Sequence, residues 1–219
     1  ISISDDLAKN INEYFDVENN GDINGEISSI INSTPVCTSS TGNVTISASR
    51  AANGTLFYGA TFFDNIGGVV GYVCADGDNI PVSVENTSAG DIVWNDDSES
   101  VKAVPYIGGV AGYVIDGSFE GNINTGALAI NEPMLDLDWG GVVGASAVSV
   151  ERCSNKGSMT INEQVTTANI GGVVGMLEAN KNASVKNSIV DCENSGKLYF
   201  GESFKINKNC NIGGVVAYA

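Results

Sequence analysis

The run NIGGVVGYV, residues 65–73, returns as YIGGVAGYV at 106, DWGGVVGAS at 138, NIGGVVGML at 169 and NIGGVVAYA at 211. Five copies of one glycine-rich sentence constrain the fold more than any other feature of the chain. The glycine pairs are Gly67 and Gly68, Gly108 and Gly109, Gly140 and Gly141, Gly171 and Gly172, and Gly213 and Gly214. Their first members are 41, 32, 31 and 42 residues apart. Periods of this size belong to solenoids and propellers, in which each unit buries its apolar face against its neighbours.

Between the glycine pairs lies a second motif, SNKGSMTI at 154, INTGALAI at 123 and ENSGKLYF at 193, with looser copies TSAGDIVW at 87 and SSTGNVTI at 39. Two and four places after its glycine stand Val44 and Ile46, Ile92 and Trp94, Leu128 and Ile130, Met159 and Ile161, and Leu198 and Phe200. Apolar residues at period two mark a half-buried strand. Asn-x-Gly supplies the turn before it, since both residues tolerate left-handed backbone angles. A further short alternating run, Val148–Cys153 in one copy and Ile189–Cys192 in another, gives three short strands per unit.

A unit of 31 residues matches one coil of a parallel β-helix. It is too short for a propeller blade, which needs four antiparallel strands in ~40–50 residues. We therefore expect an all-β fold, a parallel β-helix of about five to six coils. Residues 1–30 form a cap with a degenerate first coil, and residues 31–219 form the solenoid. The longer units carry their extra residues as polar loops, with Asp96–Glu99 and Ala179–Asn182 as candidates. Residues 4–15, SDDLAKNINEYF, predict a short amphipathic helix with an acidic N-terminus that plugs one open end. The glycine-rich run, apolar at both sets of alternating positions, reads as a strand buried on two faces, covered by loops of this chain or by a partner.

The chain carries 10 Lys and Arg against 26 Asp and Glu, a formal charge of −16 that repels nucleic acid and anionic lipid. It contains no histidine, which removes the His-based triads and His-ligated metal centres. No apolar run approaches the ~20 residues of a membrane-spanning helix, so direct membrane insertion is not expected. The start at Ile1 has no basic or apolar leader and the chain stops within a repeat. We expect an export signal already removed, a secreted or cell-surface location, and further domains in a longer protein. The five cysteines, 37, 74, 153, 192 and 210, form no CxxC pair and read as free thiols. Cys153 and Cys192 each lie four residues before a turn glycine and fall on one edge of the same sheet, near enough for a bridge, although free thiols are the preferred reading.

Candidate chemistry is sparse. Residues 16–27, DVENNGDINGEI, place Asp16, Glu18, Asn20 and Asp22 at offsets of a calcium loop, but the twelfth position is Ile27 where a bidentate carboxylate belongs. A degenerate first coil explains the same residues, and calcium is otherwise the sole candidate cofactor. Residues 76–79 and 95–99 could hold a hard cation or form solvated turns. Asp136 and Asp138 share a face in an extended segment beside Trp139, as a glycosidase pair or as a turn before a strand. Counting alternate positions puts Tyr72, Tyr113, Trp139 and Tyr218 on one face of the glycine-rich strand. That aromatic ladder would stack on a sugar or anchor a protein if open, and is core if covered.

IGGVVGYV, followed by the turn motif in SNKGSMTI and ENSGKLYF, resembles the GLUG-type glycine-rich repeats of bacterial surface proteins. The resemblance spans roughly residues 36–219. It implies an adhesin-like or immunoglobulin A1 protease-like setting, although the zinc protease of that setting needs a HExxH helix that a chain without histidine cannot make. The function expected from the sequence is non-catalytic binding of a glycan or a host or cell-surface protein. A carbohydrate-active enzyme on a β-helix, or a passive stalk, are the alternatives.

Overall fold

A computed structural model describes residues 65–73 and 106–219, except 183, in full, and the backbone of the strands between 15 and 94. It is a parallel β-helix. Within the fully described part every element is a strand, and each coil has three strand-bearing stretches. In the coil at 134–161 the first stretch is the glycine-rich run, Met134–Gly140 and Val143–Ser146. The second is Val150–Glu151 with Ser154–Asn155, and the third is Met159–Ile161. Successive coils stack in register. Ile66, Ile107, Trp139, Ile170 and Ile212 form one column, and Leu128, Met159 and Leu198 another. Cys37 pairs with Cys74, Val44 with Val82 and Leu56 with Ile92, so the described stack runs from 37 through five coils into a sixth at 206–218.

The glycine-rich run is not a single flat strand. It bends between Gly67 and Val70 and at each equivalent place, dividing into two ladders: Asn65–Gly67, Tyr106–Gly108, Met134–Gly140, Val165–Gly171 and Ile206–Gly213, then Val70–Ala75, Ala111–Val114, Val143–Ser146, Val174–Leu177 and Val216–Tyr218. Inside the stack, each of the three glycine positions has its own steric reason. A Cβ on the first glycine of a pair would overlap the carbonyl oxygen three residues on, as Gly140 with Val143. On the second it would meet an asparagine from across the coil, 2.6 Å from Asn124 Cγ at Gly109 and 2.5 Å from Asn155 Cγ at Gly141. On the third it would meet the first ladder's backbone in the neighbouring coil, 2.5 Å from Ile107 N at Gly144.

The bend alters the expected burial. Because the chain turns there, Ile66 before it and Val69 and Val70 after it all point inward, and both apolar sets are buried by the coil itself. No outer layer is required. The interior is split into two lobes. One holds Val70, Val110, Val143, Phe119, Val150 and Cys153, and the other Ile107, Trp139, Ile170, Leu128, Met159 and Ile161. The waist between them is the second glycine of each pair against Asn124, Asn155 and Asn194.

Those asparagines form an internal ladder. Asn124 Nδ2 donates to Asn155 Oδ1 at 2.8 Å, and Asn155 Nδ2 to Asn194 Oδ1 at 3.0 Å. Each Oδ1 also accepts the backbone N–H two residues on, from Gly126, Gly157 and Gly196. The Asn-x-Gly turn is thus closed by the side chain, with the polar amides satisfied inside an apolar coil. Left-handed backbone appears elsewhere, at Gly121, Arg152 and Asp191 (φ 66°, 51° and 52°), the corner that precedes the ladder.

The polar insertion expected in the longer unit lies between Val174–Leu177 and Ile189–Val190, with Ala179, Lys181 and Asn182 exposed. The helix expected at 4–15 lies outside the described residues up to its last member, Phe15. That residue instead opens the strand Phe15–Asn19, antiparallel to Val44–Arg50.

Candidate functional site

Where the two glycine-joined ladders meet, their outer faces turn toward one another. The first ladder presents the residue before each inward isoleucine or Trp139: Asn65, Tyr106, Asp138, Asn169 and Asn211. The second presents Tyr72, Tyr113, Ala145, Met176 and Tyr218. Contacts cross the angle. The rings of Tyr106 and Tyr113 lie 4.5 Å apart at 36°, and Asn169 Nδ2 reaches Met176 Sδ at 3.9 Å. Tyr72 meets Tyr113 edge-on at 5.4 Å.

One wall of the angle is polar. Asn211 Nδ2 donates to Asn169 Oδ1 at 2.7 Å, and Asn169 Nδ2 to Asp138 Oδ1 at 2.6 Å. Partial burial pushes Asp138 up to about 6. The Asn169 bond works against that shift, and the negative charges of Glu178 and Asp136 add to it. The Tyr113 hydroxyl donates to Glu178 Oε2 at 2.6 Å, two coils along and past the small Ala145. Burial first, and this bond second, hold its phenol above the ordinary range; burial and Glu178 raise Tyr106 as well. The phenols stay protonated as donors, and the carboxylates and amides beside them accept.

Of the aromatic residues expected together, Tyr72 and Tyr113 are half-buried neighbours at this angle. Tyr218 lies in the same column but in the last coil, 56% exposed. Trp139 does not join them: it is 1% exposed inside the second lobe, its indole N–H without a hydrogen-bond partner. Alternation counted through the glycine pair assumed an unbroken strand, and the bend reverses the parity. Tyr106, which the sequence reading passed over, holds the centre of the cluster. Its signal was its place in the column of Asn and Asp before each Ile-Gly-Gly or Trp-Gly-Gly.

Asp136 and Asp138 occupy one strand, paired with Thr167 and Asn169. Asp136 is exposed, whereas Asp138 faces the tyrosines. Among the calcium candidates, Asp16 and Glu18 lie on the strand Phe15–Asn19, opposite Ser49 and Ser47, rather than on a ligating loop. Asn20 and Asp22, together with 76–79 and 95–99, lie outside the described residues. No family model matches the chain, and no curated protein or solved structure matches it significantly.

Proposed function

We propose that the chain is a non-catalytic binding module of an exported surface protein, and that it holds a neutral glycan along the angle between the two glycine-joined ladders. The observation that carries this reading is the Tyr72–Tyr113–Tyr106 cluster set against Asp138, Asn169, Asn211 and Glu178. A pyranose offers an apolar C–H face and a rim of hydroxyls. Phenol rings cover the first, while amide and carboxylate groups bond the second. The charge of −16 argues against an anionic saccharide. The resemblance to GLUG-type repeats of bacterial surface proteins supports the surface setting.

Screening the chain on an array of neutral and acidic glycans, beside the Tyr106→Ala and Tyr113→Ala variants, tests the reading. Binding confined to neutral glycans and lost in both variants supports it. Hydrolysis of a bound glycan would instead assign an enzyme, with Asp136 and Asp138 as the first residues to replace. Capture of host protein without glycan would move the angle to protein recognition, and silence on every surface would leave a stalk.

A further inference from the structure

The left-handed corner of one coil stacks directly on that of the next. Val150 pairs with Ile189 and Glu151 with Val190 on one side of it, and Ser154 pairs with Glu193 on the other. Arg152 N donates to Val190 O at 2.9 Å, and Glu193 N to Cys153 O at 3.0 Å. Cys153 and Cys192 are therefore register neighbours at the corners of adjacent coils, whose parallel strands stand ~4.8 Å apart, inside the span of about 4.4–6.8 Å between Cα atoms that a disulfide bridges. Arg152 and Asp191, with φ of 51° and 52°, launch the two cysteines from matching backbone geometry. Cys192 Sγ approaches Val150 O of the neighbouring coil at 3.4 Å, so its sulfur leans toward the coil that carries Cys153.

The two thiols differ in access and acidity. Cys153 is fully buried in the first lobe, while Cys192 is half-buried. The Cys153 S–H points to Glu151 O at 3.3 Å within its own coil. The proximity of the two thiols lowers the pKa of Cys192 and, with burial, raises that of Cys153. A reachable thiolate beside a protected resolving thiol is the arrangement that redox-active pairs use.

We propose that Cys153 and Cys192 form a dithiol modification site that small disulfides convert to a bond between coils. The Cys192 thiolate attacks one sulfur of a molecule such as oxidised glutathione, expelling one thiolate and leaving a mixed disulfide. Cys153 then gives its proton to the expelled thiolate and attacks Cys192 Sγ. The Sγ–Sγ bond forms as the second thiolate leaves and takes a proton from solvent. The protein is oxidised by two electrons, and the small disulfide is reduced to two thiols.

The test is to incubate the full chain with oxidised glutathione and map it, unreduced, by tryptic digestion and mass spectrometry. The expected product links peptide 153–156 to peptide 187–197, and dithiothreitol reverses it. Cys210, which stacks on Ala168 rather than on a thiol, should react at least about tenfold more slowly than Cys192. The peptides carrying Cys37 and Cys74, register neighbours by backbone, are mapped in the same run. In Cys192→Ser, Cys153 should stay unmodified. A mixed disulfide that persists at Cys192 with Cys153 free would overturn the proposal. So would inert thiols at both positions, or direct glutathionylation of Cys153 in Cys192→Ser.

Discussion

Gly141 and Asn155 meet at the waist of the coil: a Cβ on the glycine would stand 2.5 Å from Asn155 Cγ. The same Cβ would overlap the carbonyl oxygen of Gly172 in the next coil, so neither a rotamer change nor a small shift relieves it. Gly141→Ala should cost about 3 kcal/mol or more, at the upper end of overpacking penalties. Gly214, the same position in the last coil, has nothing within 4 Å of its Cβ site, and Gly214→Ala should change stability by no more than about 0.5 kcal/mol. Urea unfolding of the two variants checks the contrast.

The asparagine ladder predicts a second large effect. Asn155 makes four hydrogen bonds, to Asn124, Asn194, and the N–H and C=O of Gly157. Asn155→Ala removes all four bonds and leaves the buried N–H and C=O of Gly157 without the side chain that closes their turn, and should cost about 3–4 kcal/mol at roughly 1 kcal/mol per lost bond. Asn124→Ala, which removes one end of the ladder, should cost less. Thermal unfolding of both variants ranks them.

Asp138 gives the stability a pH dependence of definite sign. Its folded pKa, about 6, lies above the ordinary aspartate value of 3.8, so the folded state binds more protons between those values. The contribution is fully present below pH 4 and is lost as pH rises through 6. Asp138→Asn should flatten the curve across this window and raise stability at pH 7. Asparagine already stands at the same column position at 65, 169 and 211. Comparing the two proteins' unfolding free energies from pH 4 to 7 isolates this group from the chain's overall charge.

At the left-handed corner, Asp191 holds a φ of 52° in a place where Gly121 stands two coils earlier. Asp191→Gly removes the steric cost of a Cβ there and should stabilise by about 0.5 kcal/mol, less than for a bulkier side chain because Asp tolerates this region. A raised denaturation midpoint at unchanged slope is the expected result.

The stacking of coils was legible because their register is written in repeated spacing. Leu128, Ile130, Met159 and Ile161, picked out by alternation after the turn glycine, are all buried. The Asn-x-Gly turn was visible too, although its mechanism was misassigned to left-handed angles: Asn155 closes the turn with its side chain and joins a column that exists only once coils are stacked. What stayed hidden follows from the glycine pair. A bend costs no change in composition, so Trp139 and Tyr72 seemed to share a face that Gly140 and Gly67 in fact break. Tyr106 was overlooked for the same reason, since it enters the angle from the ladder before the bend.

The central claim is that the tyrosine angle binds a neutral glycan, and calorimetric titration of the strongest array hit tests it most directly. Tyr106→Ala should weaken binding at least about tenfold, the loss of one well-packed aromatic contact. Tyr199→Ala, which removes an exposed ring from the strand Leu198–Phe200, should leave affinity unchanged. Equal affinities for the native chain and Tyr106→Ala, or a loss confined to Tyr199→Ala, would contradict the account.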